Sequence, residues 1–178
     1  MMPETERSML DRLNRRYDKG NAAGPRYVRA EHVKISTGYD TRRICDYMAM
    51  DLWTGGSGRL KVGAQLHGHE VKVSRSDWLT ELRDPSKADA FRVYCDFWWL
   101  VVSDPAIVKP GELPEGWGLM VASTERHTNR PTIRVAVQAT RNLDVLPMPR
   151  DLQGTLMRAT AKTAARIAIS QGTGHEQG

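Results

Sequence analysis

The chain has 178 residues, of which 40% are hydrophobic and 26% charged, enough for one domain with a real core and an appendage. No apolar run approaches the length needed to span a bilayer. The polar start, Met1 to Glu6, lacks the basic-then-apolar order of a signal peptide, so the sequence reads as cytoplasmic. Net charge is +5 and the pI about 9.4, which permits a polyanionic partner without demanding one.

Thr5 to Lys19 reads as a helix, with Met9, Leu10, Leu13 and Tyr17 at helical spacing, Thr5 able to cap it and Gly20 a plausible stop. Gly20 to Tyr39 carries several glycines and a proline and reads as a loop, with a short ordered piece around Val28 to Ile35. Arg43 to Trp53 is a strand, Thr54 to Gly58 a turn, and Leu66 to Ser74 a second strand. A helix signal follows at Ser76 to Leu82, is interrupted by Pro85, and resumes from Ser86 to Asp96. Phe97 to Val102 is an uninterrupted apolar run, the mark of a strand covered on both faces.

The Pro- and Gly-rich stretch Ser103 to Gly118 reads as a loop, Leu119 to Ala122 and Thr132 to Gln138 as strands, and Asn142 to Pro149 as a linker. A final helix, Asp151 to Ile169, precedes a polar tail, Ser170 to Gly178, expected to be disordered. The order predicts an α/β protein with a central mixed β-sheet flanked by helices plus a C-terminal helix. Residues 1–125 are expected to form the core unit, and 126–178 an appendage of strand and helix. The segment GGSG is flanked by strands and lacks a following Lys-Ser/Thr, so it fails as a phosphate loop.

The segment that carries chemistry is His69-Glu70-Val71-Lys72. On a strand Glu70 and Lys72 share a face. Asp46 begins the preceding strand, 24 residues upstream; if the two strands pair, it approaches Glu70. Two close carboxylates repel unless a cation joins them, and hard oxygen ligands on an open site favour Mg²⁺ or Mn²⁺. Such a site suits phosphodiester hydrolysis, with Lys72 holding or deprotonating a water or offsetting charge on phosphorus. An isolated E-x-K on a strand is otherwise a surface ion pair of little worth; its place after the strand-starting Asp46 and behind a helix bearing Glu6 is what raises its weight.

From Glu6 to Ala122 the series resembles the PD-(D/E)xK nuclease superfamily. Its pieces are Glu6-Arg7-Ser8-Met9-Leu10, Ile44-Cys45-Asp46-Tyr47-Met48-Ala49-Met50, His69-Glu70-Val71-Lys72-Val73-Ser74, Ser76-Asp77-Trp78 and Tyr94-Cys95-Asp96-Phe97-Trp98-Trp99-Leu100-Val101-Val102. With Gly118-Leu119-Met120-Val121 after a Pro-rich loop, it is similar to the MmcB-type DNA-repair group. The resemblance implies a restriction-endonuclease-like core and a metal-dependent deoxyribonuclease of repair, recombination or phage DNA metabolism. It further implies Asp46, Glu70 and the main-chain carbonyl of Val71 as ligands of Mg²⁺ or Mn²⁺, Lys72 as the catalytic lysine, and Glu6 as a helix-one acid acting through water. Cys45 replaces the proline of the motif, and the RecB-type glutamine of the later helix is not evident; Lys87 or Arg92 is the alternative there. The rival reading is a non-catalytic DNA-binding or repair-accessory protein on the same fold; nothing in the sequence reads a 2′-hydroxyl, which leaves RNA open as substrate.

Outside the motif, Arg12, Arg15 and Arg16 on the first helix, and Arg158, Lys162 and Arg166 every four residues on the last, are candidate phosphate contacts or solvated faces. Leu152, Leu156, Met157, Ala161, Ala164, Ala165 and Ala168 form an apolar side of that last helix, expected to pack on the core or on a second subunit; a homodimer would suit a two-strand cut. His67 and His69 lie on the face opposite Glu70 and lack a third ligand for zinc. Cys45 and Cys95 form no CxxC pair and read as small buried hydrophobes.

Overall fold

The computed structural model describes residues 4–37, 43–53, 63–84 and 86–172. Helix α1 (Glu6–Arg16) opens with the expected Thr5 cap, whose hydroxyl accepts from the Ser8 amide. A small hairpin, β1 (Gly20–Asn21) and β2 (Gly24–Pro25), leads to β3 (Tyr27–Lys34), β4 (Ile44–Asp51) and β5 (Gln65–Lys72). Then come α2 (Arg75–Arg83), α3 (Ser86–Arg92), β6 (Phe97–Val102), β7 (Gly118–Thr124), β8 (Pro131–Val137) and α4 (Arg150–Gly172). The expected turn at Thr54 to Gly58, the interrupting Pro85 and the tail from 173 onward lie outside the described residues.

Strands β3 to β8 form one six-stranded sheet in chain order. The pairs β3–β4, β4–β5 and β7–β8 are antiparallel, and β5–β6 and β6–β7 parallel. The fold is therefore mixed α/β, with the C-terminal helix the sequence predicts. The two parallel links require crossovers: α2 and α3 make the first, and a loop with a 3-10 turn at Pro105–Ile107 the second.

The apolar run of β6 is covered on both faces. Trp98, Leu100 and Val102 enter one core with Trp78, Phe91 and Leu152; Trp99 and Val101 enter the other with Met9, Leu10 and Leu13 of α1. Both cysteines are buried and free. Gly68 is where β5 lets Trp98 in: a Cβ there would lie 2.3 Å from the indole ring. Gly68→Ala should destabilise the fold by about 1–3 kcal/mol through overpacking, read as a lower midpoint in chemical denaturation. An unchanged midpoint would mean that the indole relocates at no cost.

The short ordered piece expected around Val28 to Ile35 is an eight-residue edge strand, Tyr27–Lys34. Its period-2 pattern is hidden because alternation breaks within it: Ala30 and Val33, three residues apart, enter the same core layer. The break coincides with His32, whose φ of 51° is left-handed, a conformation that costs energy in a residue with a side chain. Strand β8 pairs with β7, and Leu152 and Ala159 of α4 join the main core.

Helix α4 lies on β3 and covers an otherwise open sheet edge. The Thr155 hydroxyl donates to the Lys34 carbonyl at 2.6 Å, and the Glu31 amide donates to the Thr163 hydroxyl at 2.9 Å, satisfying backbone groups that an edge strand exposes. The buried residues of α4 are Leu152, Thr155, Ala159 and Thr163. Of the broader apolar side, Leu156 packs partly, whereas Met157 is exposed, as are Ala161, Ala164, Ala165 and Ala168. Among the described residues no helix is long and apolar enough to cross a membrane.

Candidate active site

Three strands place one residue each on a common row. The register pairs Glu31 with Tyr47 and Val33 with Cys45, which sets His32 opposite Asp46. The β4–β5 pairing ends at Tyr47 with His69, and Asp46 and Glu70 are the next residues on the two strands. At this row the β4 side chains also change face: Cys45 and Met48, three apart, pack in the same layer. Freed from strict alternation, the Asp46 carboxylate turns to the backbone of β5 and accepts from the Val71 amide at 2.8 Å.

Glu70 and Lys72, two residues apart on β5, are joined by a 2.5 Å hydrogen bond from the Lys72 ammonium. The same Nζ lies 3.2 Å from Glu81 Oε2 on α2. Glu81 was missed as a site residue. The available signal was its spacing from Trp78: three residues along a helix share a face, and Trp78 is fully buried, so Glu81 had to enter a buried surface as an acid. Helix α2 starts where it does because the Ser74 hydroxyl caps the Asp77 amide, which fixes Glu81 two turns on, above Lys72.

The electrostatics are those of a crowded acidic centre. Burial raises the Asp46 pKa, against the Val71 hydrogen bond and the Lys72 charge, and the Glu6 charge raises it further. Burial raises that of Glu70 as well, and the Asp46 charge adds to it while Lys72 opposes. For Lys72, burial acts to lower the pKa, but the charges of Glu70, Glu81 and Asp46 prevail and hold it above the ordinary lysine value. Lys72 is thus held as a cation between these acids.

Glu6, expected to act through water, lines the same pocket as Asp46, Lys72 and Glu81 and is hydrogen-bonded to His32 Nε2 at 2.8 Å. Glu6, Asp46, Lys72 and Glu81 thus line one space, whereas Glu70, hydrogen-bonded by Lys72, lines a neighbouring pocket with Glu81 and Lys87. Asp46 and Glu70 carry hard oxygen donors of the type that Mg²⁺ and Mn²⁺ favour. Two side chains and one carbonyl are the most they offer: among the described residues no three His, Cys, Asp or Glu side chains group closely enough to hold a metal ion. His67 and His69 belong elsewhere. His67 Nδ1 accepts from the Trp99 indole at 3.1 Å, and His69 Nε2 lies 2.8 Å from the Tyr17 hydroxyl, so both serve the packing of α1 on the sheet.

The candidate phosphate contacts divide. Arg12 is buried and clamps α1 to β7 and β8 through the carbonyls of Ser123 and Thr132, besides an ion pair with Glu4; its donors are taken. Arg16 donates to the Ile133 carbonyl at 3.2 Å. Arg166 is paired with Glu31 and Asp11. Arg15, Arg158 and Lys162 are exposed. Lys87 lines a pocket with Glu70 and Glu81, whereas Arg92 pairs with Asp89.

The fold and this row define a mixed α/β protein with a carboxylate–lysine centre on adjoining strands. The chain is similar in structure to a protein of unknown function from Silicibacter pomeroyi, SPO1766, with a TM-score of 0.53 and 18% sequence identity over 98% of this chain and 96% of that one. At such identity the likeness shows the fold alone. No protein-family model matches the chain, and no curated protein matches it.

Proposed function

We propose that the protein is a metal-dependent deoxyribonuclease of the PD-(D/E)xK type, built on a restriction-endonuclease-like core, which binds Mg²⁺ or Mn²⁺ and acts in the cytoplasm on DNA. The observation that carries the reading is the meeting of Asp46, Glu70 and Lys72 on paired strands, with the Lys72 ammonium on Glu70 and the Asp46 carboxylate on the amide between them. The order along the chain alone would leave this meeting to chance.

In this reading Asp46, Glu70 and the Val71 carbonyl hold the ion. When bound, the ion supplies polarisation of a phosphoryl oxygen and a water of lowered pKa. Lys72 presents a fixed positive charge to the phosphate as negative charge develops on it. Glu81 is a positioning residue: its carboxylate holds the Lys72 ammonium from the α2 side, so that Lys72 keeps its place when Glu70 turns to the ion. Glu81→Gln keeps a hydrogen-bond acceptor and removes a charge; it should lower kcat about tenfold with KM little changed, and Glu81→Asp should restore part of the loss. Equal rates for all three proteins would remove Glu81 from the site.

A second reading has its own support. The Glu70–Lys72–Glu81 cluster is internally paired and is consistent with a structural ion triad in a non-catalytic DNA-binding protein. The two readings separate when pure protein is incubated with labelled linear, circular, single-stranded and branched DNA in Mg²⁺, Mn²⁺ or EDTA. Cleavage that EDTA abolishes supports the nuclease; binding without cleavage in either metal supports the accessory protein.

A further inference from the structure

Helix α4 lies outside the stretch that resembles nucleases, yet it and β3 enclose a cleft of about 380 Å³. The floor of this cleft is neutral. Arg7 and Arg166 both meet the Glu31 carboxylate, at 2.7 and 2.5 Å, and both meet Asp11, at 3.0 and 3.3 Å. Two guanidiniums are thus matched by two carboxylates. The cleft is also lined by Lys34, Arg158 and Lys162, and no ion pair among the described residues engages any of the three.

These three charges come from two elements that face each other across the cleft, β3 and α4. Arg158 and Lys162 stand one turn apart on α4, about 6 Å along the axis. Lys34 is at the end of β3, its carbonyl tied to Thr155 of α4. Farther back on β3, His32 lines the same cleft and holds Glu6, and Glu6 in turn lines the pocket of Asp46 and Lys72. The left-handed backbone at His32 is a local cost kept at the junction between the two spaces.

We propose that this cleft is a phosphate-backbone site, in which Lys34, Arg158 and Lys162 hold successive phosphates of a DNA strand and His32 marks where the strand passes into the Asp46–Glu70–Lys72 centre. A set of unmatched cations suits a polyanion, whose bound counterions each contact releases. The strand's destination rests on the nuclease reading; the binding itself does not.

The test is anisotropy of labelled duplex and single-stranded DNA in EDTA, where nothing is cut, across a range of salt. The Lys34→Gln/Arg158→Gln/Lys162→Gln variant is compared with wild type and with Lys19→Gln/Arg126→Gln/Arg130→Gln, which removes equal charge from exposed positions elsewhere. The cleft variant should bind at least about tenfold more weakly, and its log–log salt slope should flatten by up to about 2.7 on duplex and about 2.1 on single strands, three contacts at roughly 0.9 or 0.7 each. The control should keep the wild-type slope. Equal slopes for the cleft variant and wild type would overturn the proposal, as would equal losses in both variants. Inorganic phosphate forms a second arm: cleft-dependent binding of phosphate without binding of DNA would make this a small-anion site and overturn the proposal too. Cleft-dependent DNA binding by a wild-type protein that never cuts would retain the site and sink the nuclease reading, and cutting without cleft dependence would do the reverse.

Discussion

Lys72→Met should slow DNA cleavage on the order of a hundredfold or more, because the lost charge faces the phosphate only as the transition state forms. The substitution should also cost stability. Lys72 is the cation between Glu70 and Glu81, and its loss leaves two acids facing one another at the protein interior. Removing one partner of a fully buried ion pair costs about 3–5 kcal/mol; here Glu70 can take up a proton, so we expect about 2 kcal/mol and a Tm lower by roughly 4–8 °C. The deficit has a defined pH dependence. A carboxyl whose folded-state pKa is raised contributes stability that is fully present below its unfolded value and is lost as pH rises through the folded one. Glu70 is raised already, and more so without Lys72. The Tm gap between variant and wild type should therefore widen as pH rises above the ordinary carboxylate range, about 4.5. A gap independent of pH would show that Glu70 does not feel the lysine.

The second large effect concerns the metal. Asp46 and Glu70 both have raised pKa values, through burial first, with the Asp46 charge adding to that of Glu70 and the Glu6 charge adding to that of Asp46, so the metal-free protein should lose stability as pH climbs from the acid side. Saturating Mn²⁺ should cancel that loss, since a divalent ion favours both carboxylates in the charged form. At a hundredfold excess over Kd the gain is about 2.7 kcal/mol, roughly 5–10 °C in Tm. Asp46→Asn keeps an oxygen for the Val71 amide while removing one of the opposed charges. It should raise the metal-free Tm at neutral pH by roughly 2–4 °C, about 1 kcal/mol, and abolish the Mn²⁺ shift. A Tm for Asp46→Asn below that of wild type, with the metal shift retained, would place the ion elsewhere.

How far the sequence reaches depends on whether a local pattern survives the fold. The apolar run of β6 is legible because both its faces are covered, and Glu70 with Lys72 because β5 keeps strict alternation. Asp46 is legible only as the opening of a strand; that its side chain meets the Val71 amide follows from a break in alternation that no period-2 scan contains. The same break blurs β3, whose central His32 is left-handed. Arg12 and Arg166 look like surface charges by spacing, yet each is committed to a partner distant in sequence: Arg12 to carbonyls of β7 and β8, Arg166 to Glu31. Long-range ion pairs of this kind leave no local mark. Glu81 left a faint one, an acid on the face of a buried tryptophan.

The central claim, that Asp46, Glu70 and Lys72 form a metal-dependent phosphodiester-cleaving centre, is tested most directly by single-turnover cleavage of end-labelled DNA by wild type and Glu70→Gln, each with Mn²⁺ and with EDTA. The account predicts cutting by wild type in Mn²⁺ alone, and a loss on the order of a hundredfold or more in Glu70→Gln while the variant remains folded. Cleavage of equal rate in Glu70→Gln, or cleavage by wild type that persists in EDTA, would contradict it.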